Sequence, residues 1–576
     1  MALDTVWSAA ADTTAYPRPQ MIRGSYVNLD GLWDYKIVKG EYFPKDGTEY
    51  DGKIRVPFAL ESPLSGVGRT LGADESLVLR TVFDGRADDK FVLHIGAADF
   101  FCIVYLNGKE LTRHTGGYTS FSAEAVAEEK NELICVVRDP SDQGVGARGK
   151  QRRKNGGIWY TPQSGIWQSV WLEYVPDTYV TKLKITPDIS RGSVNIKVFT
   201  NTGSKNFIMI DEDGRPFESH SGEIDYKVLS PVLWSPETPR LYHFDIMLEG
   251  DRVRSYFALR EFGIGKRADG KPCFTLNGEP YFMTGLLDQG YWPDGIYTPP
   301  SDEALIYDIK LAKKCGFNTL RKHAKVESMR FYYHCDRLGM IVWQDIVNGG
   351  GKYDNFWIMV APTIGINIGD GENSYGRLAR TDAQGRKLFE QEMTETVEQL
   401  YNCPCIALWT LFNEAWGQFD SERLTAKLRE LDGTRLIDST SGWYDQGAPI
   451  RSIHRYILPF RMPKKESRHV VLSEYGGYSM KISGHVYNEK KTFGYLVFRN
   501  KDKLNAALGK LLEEQIVPAV REGLCAAIYT QLSDVENEQN GLVTYDRKEL
   551  KADPDMLAAL NAEMCAVAAG AGAGKR

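Results

Sequence analysis

Two glutamates in this chain stand where carboxylates do chemistry rather than solvate a surface. Glu414 lies in Leu408-Trp-Thr-Leu-Phe-Asn-Glu-Ala-Trp416 and Glu474 in Val470-Val-Leu-Ser-Glu-Tyr-Gly-Gly477. Each closes a short apolar run that reads as a buried strand, so both carboxylates are expected at carboxyl ends of strands, the face on which a parallel (β/α) barrel carries its active groups. Two carboxyl groups about 5 to 5.5 Å apart can cleave a glycosidic bond with retention, one as nucleophile and the other as acid and then base. A solvated surface role, the usual fate of glutamate, fits poorly with the end of an apolar strand.

A barrel that presents both groups needs eight strands. After Gly263, apolar runs of four to six residues alternate with helical stretches of ten to twenty, the rhythm of a parallel α/β domain. Candidate strands are 281–284, 318–321, 340–344, 406–412, 435–438, 450–453, 470–473 and 525–529. On this count Glu414 follows the fourth and Glu474 the seventh, on different sides of the barrel. A helix is predicted over 302–315, with Ser301 as cap, Leu305, Ile309 and Ala312 on one stripe and a stop at Gly316. A second, over 326–338, stops at Gly339, and the longest loop runs over 347–380. Upstream, to about residue 175, aromatic and β-branched runs alternate with turn signals as in an all-β sandwich. Strands are expected at 91–95 and 101–106, with Asn107-Gly108 as a tight hairpin turn. From about 178 to 262, Val194, Ile196 and Val198, then Tyr242, Phe244, Ile246 and Leu248, recur at every second position. That length suits an immunoglobulin-like sandwich.

Composition sets the remaining bounds. A chain of 576 residues, 42% hydrophobic and 25% charged, exceeds one core and reads as a folded multidomain protein. Its 70 basic and 76 acidic side chains give a net charge of −6 with no long basic run, so a nucleic-acid partner is not expected. Nine scattered cysteines argue against a disulfide framework, and Cys102, Cys135, Cys315 and Cys525 read as small buried hydrophobes. Cys403-Pro-Cys405 lacks a second pair or histidine at zinc spacing, and Gly349-Gly-Gly351 reads as loop rather than phosphate cradle. Residues 1–8 lack the charged start and apolar run of a signal peptide, and no run of about 18 apolar residues would span a membrane. A cytoplasmic location is the expectation.

Further strings stand outside the barrel: Tyr16-Pro-Arg-Pro19, Leu29-Asp-Gly-Leu-Trp33, Val104-Tyr-Leu-Asn-Gly-Lys109 with Gly116-Gly-Tyr118, and Ser164-Gly-Ile-Trp-Gln-Ser-Val-Trp-Leu-Glu173. With these the chain resembles the family-two glycoside hydrolases, which include β-galactosidases, β-glucuronidases and β-mannosidases. The strings look like that family's jelly-roll domain. Trp234-Ser-Pro-Glu-Thr-Pro-Arg-Leu-Tyr242 and Phe262-Gly-Ile264 look like the end of its immunoglobulin-like domain, and residues 316–321 and 336–345 like its barrel. The resemblance implies a multidomain β plus α/β protein: a jelly-roll sandwich over 1–177, an immunoglobulin-like sandwich over 178–264 and a catalytic (β/α)8 TIM barrel over 265–576.

By the same match Glu414 takes the part of the general acid and base, Glu474 that of the nucleophile, and Asn413 that of the holder of the sugar 2-hydroxyl. Trp409, Phe412 and Trp416 are expected to give Glu414 the apolar surroundings that keep an acid protonated. Tyr456 resembles a tyrosine that steadies the nucleophile. His454 reads equally as a site residue or a satisfied core histidine. Arg321 and His323 resemble the family's subsite Arg and His with one residue of spacing changed; otherwise they form an ion pair with Glu327 or Asp345. Trp443 is a candidate stacking platform, and Tyr529 with Gln531 candidate floor residues. No organic cofactor is expected and no metal ligands are assigned. The sandwich domains are left with two open roles, a homo-oligomer interface or a wall of the pocket.

For the sugar, Asp288 and Gln289 stand where galactosidases and glucuronidases usually show an Arg-His pair. Glu538 and Asn540 stand near the Asn-x-Lys positions that grip a uronate, and a carboxylate there would repel one. The expectation is a retaining exo-β-glycosidase acting on a glycoside or oligosaccharide, with β-galactoside leading, α-L-arabinopyranoside next and β-glucuronide disfavoured. An inverting hydrolase and a non-catalytic carbohydrate-binding protein on the same scaffold are the other readings.

Overall fold

Alternation along the strands builds the first sandwich. Leu77 and Leu79, Leu93 and Ile95, Cys102 and Val104, Leu133, Cys135 and Val137, and Val170 and Leu172 all enter one core, because side chains two apart share a face. A six-stranded and a four-stranded antiparallel sheet close over that core. The strand expected at 91–95 is the centre of Lys90–Asp99, and Phe101–Leu106 pairs with Lys109–Thr115. Asn107 at φ +50° and Gly108 at φ +76° make the turn between them. The second sandwich packs a three-stranded sheet on a four-stranded one. Its core takes Val194, Ile196 and Val198 from one sheet and Tyr242, Phe244, Ile246 and Leu248 from the other. The chain is seen in a computed structural model that describes residues 3–45 and 47–570. Met1 and Ala2, which open the stretch expected to lack a leader, lie outside the described residues.

All eight barrel strands are present: Met283–Asp288, Thr319–Lys322, Ile341–Asp345, Ile406–Thr410, Leu436–Asp438, Ile450–Arg455, His469–Gly476 and Ala526–Thr530. Strands one to five pair in parallel in sequence order, as do six to eight, and the eighth pairs with the first. Strands five and six carry no ladder; there Ser452 Oγ donates to Asp438 Oδ2 at 2.7 Å across the seam. The boundaries moved where charge is buried. Strand one starts later than 281–284 because Glu279–Pro280 pairs with Pro272–Leu276 beneath the barrel. It then runs on to Asp288, which an ion pair with Lys322 keeps inside. Strand seven likewise continues through Glu474 to Gly476, whereas strand four stops at Thr410, short of Phe412.

The helix Asp302–Lys314 buries Leu305, Ile309 and Ala312 as expected. Ser301 stands at its N-cap position but makes no capping hydrogen bond. The helix Met329–Leu338 starts three residues later than expected and ends at Gly339, whose φ of +72° suits glycine. The long loop holds short helical pieces at Phe356–Val360, Ala361–Thr363 and Glu372–Ser374. Cys403 and Cys405 are buried and free. Among the described residues no helix is long and apolar enough to cross a membrane.

The first sandwich reaches the mouth of the barrel through residues 147–161. Arg148 N and Gly149 N donate to Asn348 O at 2.9 and 3.0 Å, and Thr161 N donates to Glu536 Oε1 at 2.8 Å. Trp159 packs on Trp416 with ring centroids 5.0 Å apart. Of the two roles left open for the sandwiches, walling the pocket is one that this loop fills.

Candidate active site

Glu474 is held from three sides at the end of strand seven. Arg321, from strand two, donates through Nη1 to Oε1 at 3.2 Å, and the Tyr456 hydroxyl donates to Oε2. His454, its register partner on strand six, brings Nε2 to 3.7 Å from Oε1. Burial alone would raise the Glu474 carboxyl. The neighbouring His454 and Arg321, with smaller help from His323 and Lys150, outweigh it and lower the group from 4.5 to about 2. The carboxylate is therefore held in its ionised form.

Glu414 reaches the same space from a strained turn after strand four. Glu414 and Ala415 have φ of +45° and +61°, a conformation that costs about 1 to 3 kcal/mol per non-glycine residue and gathers at functional sites. Two hydrogen bonds hold the turn: Glu414 N donates to Ser441 O at 2.9 Å and Trp416 N to Asn413 O at 3.0 Å. The Glu414 side chain is 14% exposed and its Oε1 meets His454 Nδ1 at 2.8 Å. A carboxylate oxygen from each glutamate and a ring nitrogen of His454 lie within 4.8 Å of one another. Three such donors could also take a metal ion, but a cation there would sit beside the Arg321 guanidinium that Glu474 already binds.

The glycosyl hydrolases family 2 model matches residues 178–260, and the model of that family's TIM barrel domain matches 274–494. The chain belongs to glycosyl hydrolase family 2. A β-galactosidase of Lactococcus lactis is 27% identical over 48% of this chain and 27% of its own length. A Formosa agariphila protein whose name as a β-glucuronidase is provisional is 24% identical over 67% of this chain and 48% of its own length. The chain thus spans about half the length, or less, of these two relatives. A crystal structure of a family 2 β-galacturonidase from Eisenbergiella tayi superposes with a TM-score of 0.71 at 16% identity, covering 95% of this chain and 98% of that one.

Around Glu414 and Glu474 the expected residues fall into three groups. Asn413, Arg321, His323, His454 and Tyr456 gather at the glutamates. Arg321 Nη2 donates to Asn413 Oδ1 at 2.7 Å, which leaves Asn413 Nδ2 buried without a partner. Arg321 Nε and His323 Nδ1 meet Asp345 at 3.0 and 2.7 Å, so the ion-pair reading through Asp345 and the site reading hold together. His323 Nε2 is buried with no partner. His454 is oriented by a chain of hydroxyls: its Nε2 meets Ser441 Oγ at 3.0 Å, Ser441 donates to Ser473 at 3.0 Å, and the Ser473 and Ser452 hydroxyls lie 2.6 Å apart.

Trp443 stands at the edge of the site, its ring 5.5 Å from that of His454 and half-buried. Asp288 and Tyr529 lie elsewhere. Asp288 gives its oxygens to Lys322 Nζ at 2.6 Å and Gly290 N at 2.9 Å. Tyr529 is buried under Gly476, its hydroxyl accepting from Tyr478 N at 3.2 Å. Gln531 is tied to Gln289 and Asn540 at 2.9 and 2.7 Å. Trp409 and Phe412 also turn away from Glu414. Trp409 donates to Asp432 at 2.9 Å and Phe412 stacks on Phe389 at 5.1 Å. Only Trp416 of the three faces the site, 6.0 Å from the His323 ring.

Two residues at the site escaped the sequence. Tyr495 stacks on Tyr456 at 3.9 Å and 9°. Lys150 comes from the first sandwich and lies over the Trp416 ring at 5.7 Å. Neither stands next to a barrel strand, so no strand-end pattern marks them.

Proposed function

We propose that the chain is a retaining exo-β-glycosidase in which Glu474 is the nucleophile and Glu414 the acid and base. The observation that carries this is the facing pair of carboxylates with oxygens within 4.8 Å of each other, one of them kept ionised by His454 and Arg321. In the first step Glu474 attacks the anomeric carbon while Glu414 gives its proton to the departing oxygen. In the second, Glu414 takes a proton from water, which displaces Glu474 and restores both groups. The free Asn413 Nδ2 can donate to the sugar 2-hydroxyl, a contact that strengthens in the transition state. Walls from the first sandwich close the mouth on one side, which supports action at a chain end. The division into 1–177, 178–264 and 265–576 belongs to the same proposal.

The sugar expected from the sequence was a neutral β-galactoside, on the ground that Glu538 would repel a uronate. Glu538 is engaged within the protein: the Tyr160 hydroxyl donates to Oε2 and Asn540 Nδ2 to Oε1 at 3.0 Å. As a wall group with two donors it no longer argues against an acidic sugar, and both galactosidases and glucuronidases are among the relatives.

The test is turnover of aryl β-glycosides by wild type, Glu414→Gln and Glu474→Gln, with the anomer of the first product read by NMR. Glu474→Gln is expected to be inert on every substrate. Glu414→Gln is expected to lose about 10²- to 10⁴-fold on poor leaving groups and much less on aryl groups that leave without a proton. Release of the inverted anomer, or equal rates for wild type and Glu474→Gln, would overturn the reading.

A further inference from the structure

Lys150 is a buried cation that no carboxylate claims. The buried lysines Lys322, Lys325 and Lys551 each hold a carboxylate at 2.6 Å, from Asp288, Glu327 and Asp534. Lys150 is 5% exposed, yet among the described residues its ammonium has no ion pair and no hydrogen bond. What surrounds it is aromatic: the Tyr160 ring at 5.4 Å and the Trp416 ring at 5.7 Å. The ammonium is not among the fully enclosed unpartnered atoms, so it keeps contact with open space, and two ring faces alone leave it able to take an anion. The arrangement is complete only when an anion arrives.

Packing of the backbone on the barrel brings this cation towards the two glutamates. Gly149, with φ +55°, lies so close to the barrel that a Cβ would meet Ala324 O at 2.4 Å, and Ala324 follows His323. Trp416, whose ring lies 5.7 Å from the ammonium, is two residues beyond Glu414. Lys150 therefore enters between His323 and the Asn413–Trp416 turn. Its charge is among those that hold Glu474 and His323 low, as expected of a group facing the same cavity. Close by, Asn413 Nδ2 and His323 Nε2 are buried and unpartnered, ready for the uncharged hydroxyls of the ring. A neutral sugar would satisfy those two and leave the ammonium bare.

We propose that Lys150 binds an oxyanion carried by the terminal sugar, a uronate carboxylate or a sulfate ester, and so makes the substrate an acidic glycoside. This rests on the glycosidase reading above. A compact ammonium suits either oxyanion as a point charge, and a charge pair formed in a desolvated site discriminates strongly against a ligand that leaves its partner unpaired.

The experiment measures kcat/KM for p-nitrophenyl β-galacturonide, β-glucuronide and 6-sulfo-β-galactoside beside the neutral galactoside and glucoside. Wild type is expected to prefer one of the acidic substrates over its neutral counterpart by roughly a hundredfold, and which of them it prefers tells carboxylate from sulfate. Lys150→Met is expected to lower the acidic-to-neutral ratio by about the same factor, with Lys150→Arg recovering part of it and KM for the acidic substrate rising with salt. A preference for the neutral glycosides in wild type, or an equal fall on both kinds in Lys150→Met, would overturn the proposal, the second result meaning that Lys150 acts only through its field on Glu474. Lys150→Gln replaces the methionine variant if that one does not fold. Should wild type and Glu474→Gln be equally inert on all substrates, the glycosidase reading fails by itself. Calorimetry with galacturonate, glucuronate, galactose 6-sulfate and galactose then decides the role of Lys150. Tighter binding of an acid than of galactose, lost in Lys150→Met, supports it; equal binding, or none, sinks it.

Discussion

Arg321 governs the site because one guanidinium is shared among four residues. It meets Asp345 Oδ1 at 3.0 Å, Ser473 O at 3.1 Å, Glu474 Oε1 at 3.2 Å and Asn413 Oδ1 at 2.7 Å while fully buried. A rigid fork can point at several oxygens at once, which a lysine ammonium on a flexible stem cannot reproduce. Arg321→Met is expected to cost about 3 to 5 kcal/mol of folding stability, since it leaves Glu474 and Asp345 as buried charges without their partner. Chemical denaturation measures this, and a loss under about 1 kcal/mol would mean that the cluster relaxes or takes up protons instead. Tyr456 acts on one oxygen only. Tyr456→Phe removes a donor to the ionised Glu474, so the Glu474 pKa must rise, and the acid limb of the kcat/KM profile is expected to move to higher pH. An unmoved limb, with kcat alone reduced, would assign Tyr456 to the sugar rather than to the carboxylate.

At the scale of elements, the loop 147–161 decides whether the barrel has a complete site. Gly149 takes φ +55° against Ala324 O, so Gly149→Ala adds both a left-handed penalty and a backbone clash. Ala147 and Tyr160 of the same loop belong to the barrel's hydrophobic core. The expected outcome is a loss of kcat/KM of tenfold or more, roughly the effect of misplacing a substrate group by about 1 Å, together with a lower melting temperature. Full activity in Gly149→Ala would show that the loop is not a wall of the site.

The same loop marks what the sequence could and could not carry. All eight strands were legible as apolar runs because a buried parallel strand is apolar on both faces, and the two glutamates were legible because they interrupt such runs. Strand one was cut short at 284 because Asp288 looks like an end until Lys322 is seen beside it. Asp288 was read as a site residue because it stands where relatives show an Arg-His pair, and Tyr529 because it lies beside the eighth strand. A strand-end position does not say whether a side chain faces the mouth or a neighbouring strand. Lys150 and Tyr495 are brought to the glutamates by tertiary packing from segments with no periodicity of their own, so only the folded chain reveals them.

For the whole molecule, burial has left carboxyl groups shifted in opposite directions, and stability should follow pH accordingly. Glu474 is lowered from 4.5 to about 2. Its contribution is present above 4.5 and is lost as pH falls towards 2. Glu61, in the first sandwich, and Glu392, on the barrel helix Ala383–Leu400, are both pushed up by burial from 4.5 to about 8. Such a group keeps its proton in the folded state while the unfolded chain has released it, so stability falls as pH rises from 4.5 through 8. Glu392 lies where the barrel meets the first sandwich: a Cβ on Gly116 would stand 2.9 Å from its Oε1, and its oxygens make no hydrogen bond of normal geometry. Glu395 nearby adds like charge and raises it further. Glu392→Gln keeps the shape and has no proton to lose. It is expected to match wild type at pH 4.5, where both forms are neutral when folded, and to melt higher than wild type by ~2 to 5 °C at pH 8. Calorimetric scans at the two pH values check this. A difference of the same size at both would trace the effect to packing at the junction, not to the proton that burial forces Glu392 to keep.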